Sequence, residues 1–401
     1  MRRNRLVAGA VAALLVTVFA AVRVFAPGDT LDRIRGPFPP PVAVEGRVYG
    51  ELMHAPLLVG TRMRVYGAQN RVWADGPLDM DAPASALWAL RRWPAQLVGV
   101  VADDRVVVSK WSDGELVAID PDTGRIAWRA EGGVDATAYA GRRTGAGTVY
   151  EPPGLYLASA TVISTQQDGE LTAFDTGTGK PLWHKPFSDR PECRSLFTVP
   201  REVVVVDRCA QPSTMDVYLA ADGHRVNRLP APQSMQPVGC TVGRQGCTGV
   251  AGPGGGWLIG EDGGFAPAPY LTGPGVRLAG DLVVHLLDGH VVAHDARTGA
   301  PAWSWPGSGT VPAGTQIVAT EPRLVHVVTP DGNLFNLESQ TGLERSGYPA
   351  NVINGHKPWI PGHVYAANGF VAIERLLPGG RPDQKDSQYY YPFPTVLLTG
   401  S

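Results

Sequence analysis

Charge is scarce in this chain of 401 residues, and lysine is nearly missing. Charged residues make up 18%, with 5 lysines against 30 arginines. The net charge of -2 gives no overall footprint for nucleic acid. The arginine bias points to a bacterial, GC-rich genome. No Gly-x-Ser-x-Gly elbow occurs, so the sequence offers no hydrolase nucleophile of that kind. No cysteine follows the apolar N-terminal run, which excludes a lipoprotein anchor. General disorder is excluded by a hydrophobic content of 44%. Glycine and proline together supply 85 residues, a density of turn formers that argues against a long-helix protein.

The single long apolar run, Leu6–Ala26, is 21 residues interrupted only by Arg23 and preceded by Arg2, Arg3 and Arg5. A run of about 20 such residues can cross a bilayer as a helix. The basic flank keeps residues 1–5 in the cytoplasm and sends the rest outside. The expectation is a signal-anchor transmembrane helix at 6–26, making a single-pass protein of the cytoplasmic membrane. A cleaved secretory signal is the competing reading, and Arg23 and Pro27 weigh against it. Residues 27–41, ending in Gly36-Pro-Phe-Pro-Pro-Pro41, read as a Pro-rich stalk. The first 35 residues carry +4 and the remainder -6, so the outer part has no bulk attraction for anionic lipid.

All four cysteines, Cys193, Cys209, Cys240 and Cys247, fall in that outer part, where disulfides persist. The six residues between Cys240 and Cys247 fit neither common zinc spacing. Cys193 and Cys209 bracket the Val203–Val206 strand and its predecessor, and Cys240 and Cys247 bracket a turn. The expected bonds are therefore 193–209 and 240–247.

An internal repeat organises the rest. Asp113-Gly-Glu-Leu-Val-Ala-Ile-Asp120-Pro-Asp-Thr-Gly124-Arg-Ile-Ala-Trp128 recurs as Asp168-Gly-Glu-Leu-Thr-Ala-Phe-Asp175-Thr-Gly-Thr-Gly179-Lys-Pro-Leu-Trp183. A third copy runs Asp288-Gly-His-Val-Val-Ala-His-Asp295-Ala-Arg-Thr-Gly299-Ala-Pro-Ala-Trp303. A fading copy spans Asp331–Gly342. A β-branched strand precedes each copy, such as Val106–Val108 and Leu282–Val284. Asp-Gly turns the chain, Leu-x-Ala-x-Asp makes the next strand, and Asp-x-x-Thr-Gly makes a second turn with glycine at positive φ. Tryptophan then offers a broad ring to the neighbouring sheet. One such sheet cannot bury both faces alone, and a period of this length points to a propeller. Five steps from Gly124 to Gly342 average 43.6 residues, so the 357 residues of Val42–Leu398 hold about eight blades, with seven as the alternative. The fold class is all-β, a β-propeller over 42–401. The copies near Gly223 and Gly263 lack the tryptophan, with Asn227 and Pro267 in its place, and should form the weak sector.

These copies resemble the pyrroloquinoline-quinone (PQQ) type propeller repeat, with its Ala-x-Asp-x-x-Thr-Gly-x-x-x-Trp core, over most of 96–347. The resemblance implies one of two classes: dehydrogenases that bind PQQ and calcium, or non-catalytic envelope proteins similar to the propeller lipoprotein of outer-membrane assembly. No Glu, Asn and Asp set matches a calcium and quinone site. The preferred reading is a non-catalytic protein-interaction or envelope-assembly scaffold without a cofactor, whose partner is another envelope protein. A PQQ-dependent oxidoreductase and a glycan-binding propeller are the rivals.

Other chemistry is thin. His290 and His294 share a strand face, but four strand residues span about 13 Å, too far to chelate one ion together. Gly177-Thr-Gly179-Lys180-Pro181 imitates a phosphate loop but lacks its upstream glycine. Gly252-Pro-Gly-Gly-Gly256 lacks dinucleotide-binding spacing. Two loops are candidate partner contacts, because binding residues concentrate on loops over a rigid scaffold. One is the insertion expected between Glu131 and Gly154, carrying Tyr139, Arg142, Arg143 and Tyr150. The other is the aromatic stretch holding Tyr389, Tyr390, Tyr391 and Phe393.

Overall fold

The structure, a computed structural model, describes residues 28–400 except 81–84, 135–138, 140–143, 167–168, 187–189, 191–192, 232–233, 261, 274, 351–357 and 382–395. The chain folds into eight antiparallel sheets arranged as a β-propeller. Blades 1 to 7 span 57–93, 97–131, 155–186, 194–230, 236–268, 277–305 and 316–349. Blade 8 takes Ile360–Ala367, Phe370–Leu376 and Val396–Gly400, and its outermost strand is Val48–Leu52 from the other end of the chain. Pairing of Val48–Leu52 with Val396–Gly400 closes the ring and leaves no terminal blade with an open face.

In blades 2 to 7 the strands follow sequence from the axis outward, as do the inner four of blade 1 and the inner three of blade 8. First strands of successive blades touch, as Leu97–Ala102 does Leu155–Ala158, which sets them around the centre. The β-branched second strands are buried on both faces; Val203, Val204, Val205 and Val206 are all in the core.

The repeat's Ala, Gly and Trp form one mechanical device. A bulge between the third and fourth strands recurs at the same point in blades 2, 3 and 6, and it sets Trp128, Trp183 and Trp303 opposite Ala118, Ala173 and Ala293. The small alanine leaves room for the indole, and the bulge re-aims it. Each indole then covers the turn glycine of the next blade. A Cβ on Gly179 would come 2.5 Å from Trp128, one on Gly223 2.7 Å from Trp183, and one on Gly342 2.6 Å from Trp303. The indole N–H groups donate to Thr176, Ala220 and Ser339 carbonyls, each at 2.7 Å. These glycines also need positive φ, 68° at Gly179 for example, so two independent reasons exclude a side chain. In the same turns Asp175 accepts from the Thr178 N–H at 2.8 Å and Asp295 from the Thr298 N–H at 2.7 Å. Hydrogen bonds from Thr298 hold the Asp295 carboxyl below its ordinary pKa.

The seams on either side of blade 5 depart from this pattern. Asn227 occupies the tryptophan position of blade 4, opposite Val217, and is exposed. Gly263 of blade 5 is covered instead by the Glu202 carboxylate from the second strand of blade 4. Gly299 of blade 6 is covered by Tyr270. Both disulfides lie in these blades. Cys193–Cys209 flanks the first hairpin of blade 4, with Cα atoms 5.2 Å apart, and Cys240–Cys247 closes the first hairpin of blade 5.

Near the N-terminus, Gly28–Arg33 lies inside the segment read as a stalk, yet it pairs with Trp88–Trp93 as a fifth, outermost strand of blade 1. Ion pairs clamp it there. Asp29 meets Arg92 at 3.0 Å and Arg129 of blade 2 at 2.8 Å, and Arg92 also meets Asp113 at 3.0 Å. The run Leu6–Ala26, read as an anchor, lies outside the described residues. No helix among the described residues is long and apolar enough to cross a membrane.

Candidate functional site

A cavity of about 800 Å³ sits at the centre, walled by first strands of blades 5 to 8 and by the insertion between blades 2 and 3. The insertion turns inward because of glycine: Gly145 has φ 80°, and a Cβ there would strike the Gly67 carbonyl. A one-turn helix, Ala146–Val149, follows and packs against blades 1 and 2. Thr144, just before it, donates its hydroxyl to Glu374 of blade 8 at 2.7 Å. Tyr150, just after it, donates to the Pro56 carbonyl at 2.9 Å and stacks on Tyr365 with centroids 5.2 Å apart. Burial pushes the Tyr150 and Tyr365 hydroxyls well up from the ordinary tyrosine value, so both stay neutral.

Three charged groups, Glu151, Arg277 and Glu374, line the cavity. Glu374 also accepts from His363 Nδ1 at 2.8 Å. Burial alone would raise its pKa, but the hydrogen bonds from His363 and Thr144 outweigh it and hold the carboxyl below its ordinary value. Glu374 is therefore an ionised acceptor with both oxygens engaged, which suits holding the insertion to blade 8 rather than abstracting a proton. Arg277, on the first strand of blade 6, has no carboxylate partner among the described residues, and desolvation lowers its pKa. A quinone and calcium centre needs several free oxygen ligands in convergence. The oxygens of Glu374 are taken, and among the described residues no three His, Cys, Asp or Glu side chains gather as a metal site. Besides Glu374, the wall carries one further carboxylate, that of Glu151.

A second concavity, a groove of about 640 Å³, runs between blades 3 and 4. Lys185 lies 5.1 Å from the Tyr218 ring centroid, and Arg228 grips Asp216 through two bonds of 2.6 and 2.8 Å. Burial, then Asp216, raises the Tyr218 pKa, so the phenol is a neutral donor. Sequence reasoning missed this groove, because the two blades meet only in three dimensions.

The insertion is placed where expected, but its residues divide. Tyr150 is buried, so it packs inside the propeller and is closed to a partner. Tyr139 is half-buried and reaches the Gly67 carbonyl at 3.4 Å. Arg142, Arg143, Tyr389, Tyr390, Tyr391 and Phe393 lie outside the described residues.

Residues 80–222 match the family described as Outer membrane protein assembly factor BamB. The repeats are of the PQQ type. A curated BamB from Burkholderia pseudomallei (strain K96243) is 33% identical over 93 residues, which cover 22% of this chain and 22% of that protein. The match thus spans about a fifth of the relative's length. Among solved structures, BamB from Moraxella catarrhalis is 14% identical with a TM-score of 0.45, covering 90% of this chain and all 100% of its own. A quinohemoprotein alcohol dehydrogenase from Pseudomonas putida HK5 is also 14% identical, with a TM-score of 0.42, covering 83% of this chain and 72% of its own.

The curated match corrects the expected address. That relative is named for the outer membrane, not as a single-pass protein of the cytoplasmic membrane. The expectation rested on the Leu6–Ala26 run and its basic flank, and an export signal also sets a basic flank ahead of an apolar run.

Proposed function

We propose that this propeller is a non-catalytic, extracytoplasmic scaffold for cell-envelope protein assembly, and that its partner is another envelope protein. The observation that carries the reading is the match of residues 80–222 to an outer-membrane assembly factor family. The groove between blades 3 and 4 overlaps that segment, and its residues suit a wet protein contact: a neutral tyrosine, paired arginines and a lysine held over an aromatic ring. The two disulfides support an oxidising compartment. Arg142, Arg143 and the run Tyr389–Phe393 are proposed as further contacts.

Photo-crosslinking in intact cells tests this. A crosslinking residue at position 185 should trap one envelope protein, and the same residue at Leu343, exposed on the far blade 7, should not. Equal capture at both positions, or none at 185, would remove the groove from the reading. PQQ with calcium should leave the melting temperature unchanged. A ligand at 100 times its Kd stabilises by about 2.7 kcal/mol, so a saturable shift of that order would overturn the non-catalytic assignment.

A further inference from the structure

Blade 6 carries three histidines on one hairpin, formed by Leu282–Leu287 and His290–Asp295. The register sets His285 opposite Val292, which makes His294 its diagonal neighbour on the same face. Their rings stand 5.2 Å apart, centroid to centroid, with planes at 77°. Sequence spacing had drawn attention to His290 and His294, which lie along one strand; the cross-strand pairing replaces His290 with His285.

We propose that His285 and His294 form a two-imidazole site for a borderline divalent transition-metal ion, with zinc as its simplest probe. Zinc binds imidazole nitrogen at about 2.0–2.1 Å; adding the ring radius puts each centroid about 3.2 Å from the ion, and at a tetrahedral angle the centroids stand about 5.2 Å apart. The observed separation is that value. Rotation about the histidine Cβ–Cγ bond, which is broad, converges the nitrogens without moving the backbone. A second observation points the same way: His285 Nδ1 is buried without a hydrogen-bond partner, a group that calls for an unseen ligand. All four cysteines are in disulfides, so no thiolate competes. No third His, Cys, Asp or Glu completes the set among the described residues, and water fills the remaining positions.

The test uses the full chain, free of a polyhistidine tag, titrated with zinc chloride by calorimetry. One saturable ion per chain is expected. His285→Gln and His294→Gln should each weaken it at least about tenfold, in line with the cost of disturbing metal-site histidines. His290→Gln should not. Copper(II) spin resonance on the unaltered chain gives a readout independent of any variant's folding, and coupling to two nitrogens is expected. No saturable uptake, uptake that survives both substitutions, or a spectrum without two coupled nitrogens would each overturn the proposal and leave the pair as a ring contact.

Discussion

Replacing the same repeat position in adjacent blades should have opposite consequences. Trp183 covers Gly223 of blade 4 and donates to the Ala220 carbonyl at 2.7 Å. Trp183→Ala removes the ring from a closed seam and strands that buried carbonyl, so a loss of about 3–5 kcal/mol is expected for a core tryptophan. Trp183→Phe keeps most of the apolar area and isolates the orphaned carbonyl, worth about 1–3 kcal/mol. Asn227 holds the equivalent place one blade later, is exposed, and bonds only the adjacent Arg228 N–H at 2.8 Å. Asn227→Ala should stay within about 0.5 kcal/mol, as ordinary surface changes do. Urea unfolding followed by circular dichroism, with disulfides intact, reads all three. If Trp183→Ala cost under about 1 kcal/mol, or no more than Asn227→Ala, the ring would not be what joins blade 3 to blade 4.

Three further outcomes are expected. Gly179→Ala should cost at least about 1–2 kcal/mol, because it forces an L-residue into the left-handed region and drives a Cβ into the Trp128 ring; an unchanged urea midpoint would contradict this. Removing Cys193–Cys209 by paired alanine substitutions, with Cys240–Cys247 intact, should cost about 3 kcal/mol by opening a loop of sequence separation 16, to be read as a lower urea midpoint. Burial pushes the Glu202 carboxyl above its ordinary value of 4.5, with Arg201 opposing and Asp262 adding to the rise. The native state then holds a proton the unfolded chain has lost, so stability falls as pH rises from 4.5 through the raised value. Glu202→Gln should flatten that slope and gain on the order of 1 kcal/mol at pH 7, and an unaltered pH profile would refute it.

The parts legible in the sequence are those where one residue type serves one local purpose. Gly124, Gly179, Gly299 and Gly342 mark turns that need positive φ, and their spacing alone counts the blades. Cys193 and Cys209 follow from the hairpin between them. What stayed hidden depends on partners far along the chain. Val48–Leu52 reads as an ordinary strand, and only its pairing with Val396–Gly400 shows that it closes the ring. Gly28–Arg33 carries no apolar alternation; its place is set by Asp29 meeting Arg92 and Arg129, a pairing with no periodic signature. The insertion's inward fold depends on Thr144 reaching Glu374, 230 residues away, and the histidine pair on a register between two strands.

The positions of the disulfides follow from the seam chemistry. An indole across a seam joins two blades, whereas a disulfide inside a hairpin joins two strands of one blade. Cys193–Cys209 holds blade 4 together internally, and Cys240–Cys247 does the same for blade 5 while shaping a turn that meets blade 4, where the Cys247 N–H donates to the Thr198 carbonyl at 2.8 Å. The contact between the two blades is an apolar cluster holding Phe197, Val204 and Val217 of blade 4 against Cys247, Val250 and Ile259 of blade 5, and at its turn it sets Glu202, whose Oε2 is buried without a hydrogen-bond partner, against Gly263. A carboxylate so placed loses hydration that no donor restores, while an indole at the same spot gains area and a hydrogen bond. The ring thus has one seam chemically unlike its neighbours, between two blades made individually robust. Local opening is easiest where buried apolar contact is least, so amide exchange should be fastest at the Gly263 turn beneath Glu202 and slow across the apolar cluster that joins blades 4 and 5, with each disulfide-held hairpin kept folded.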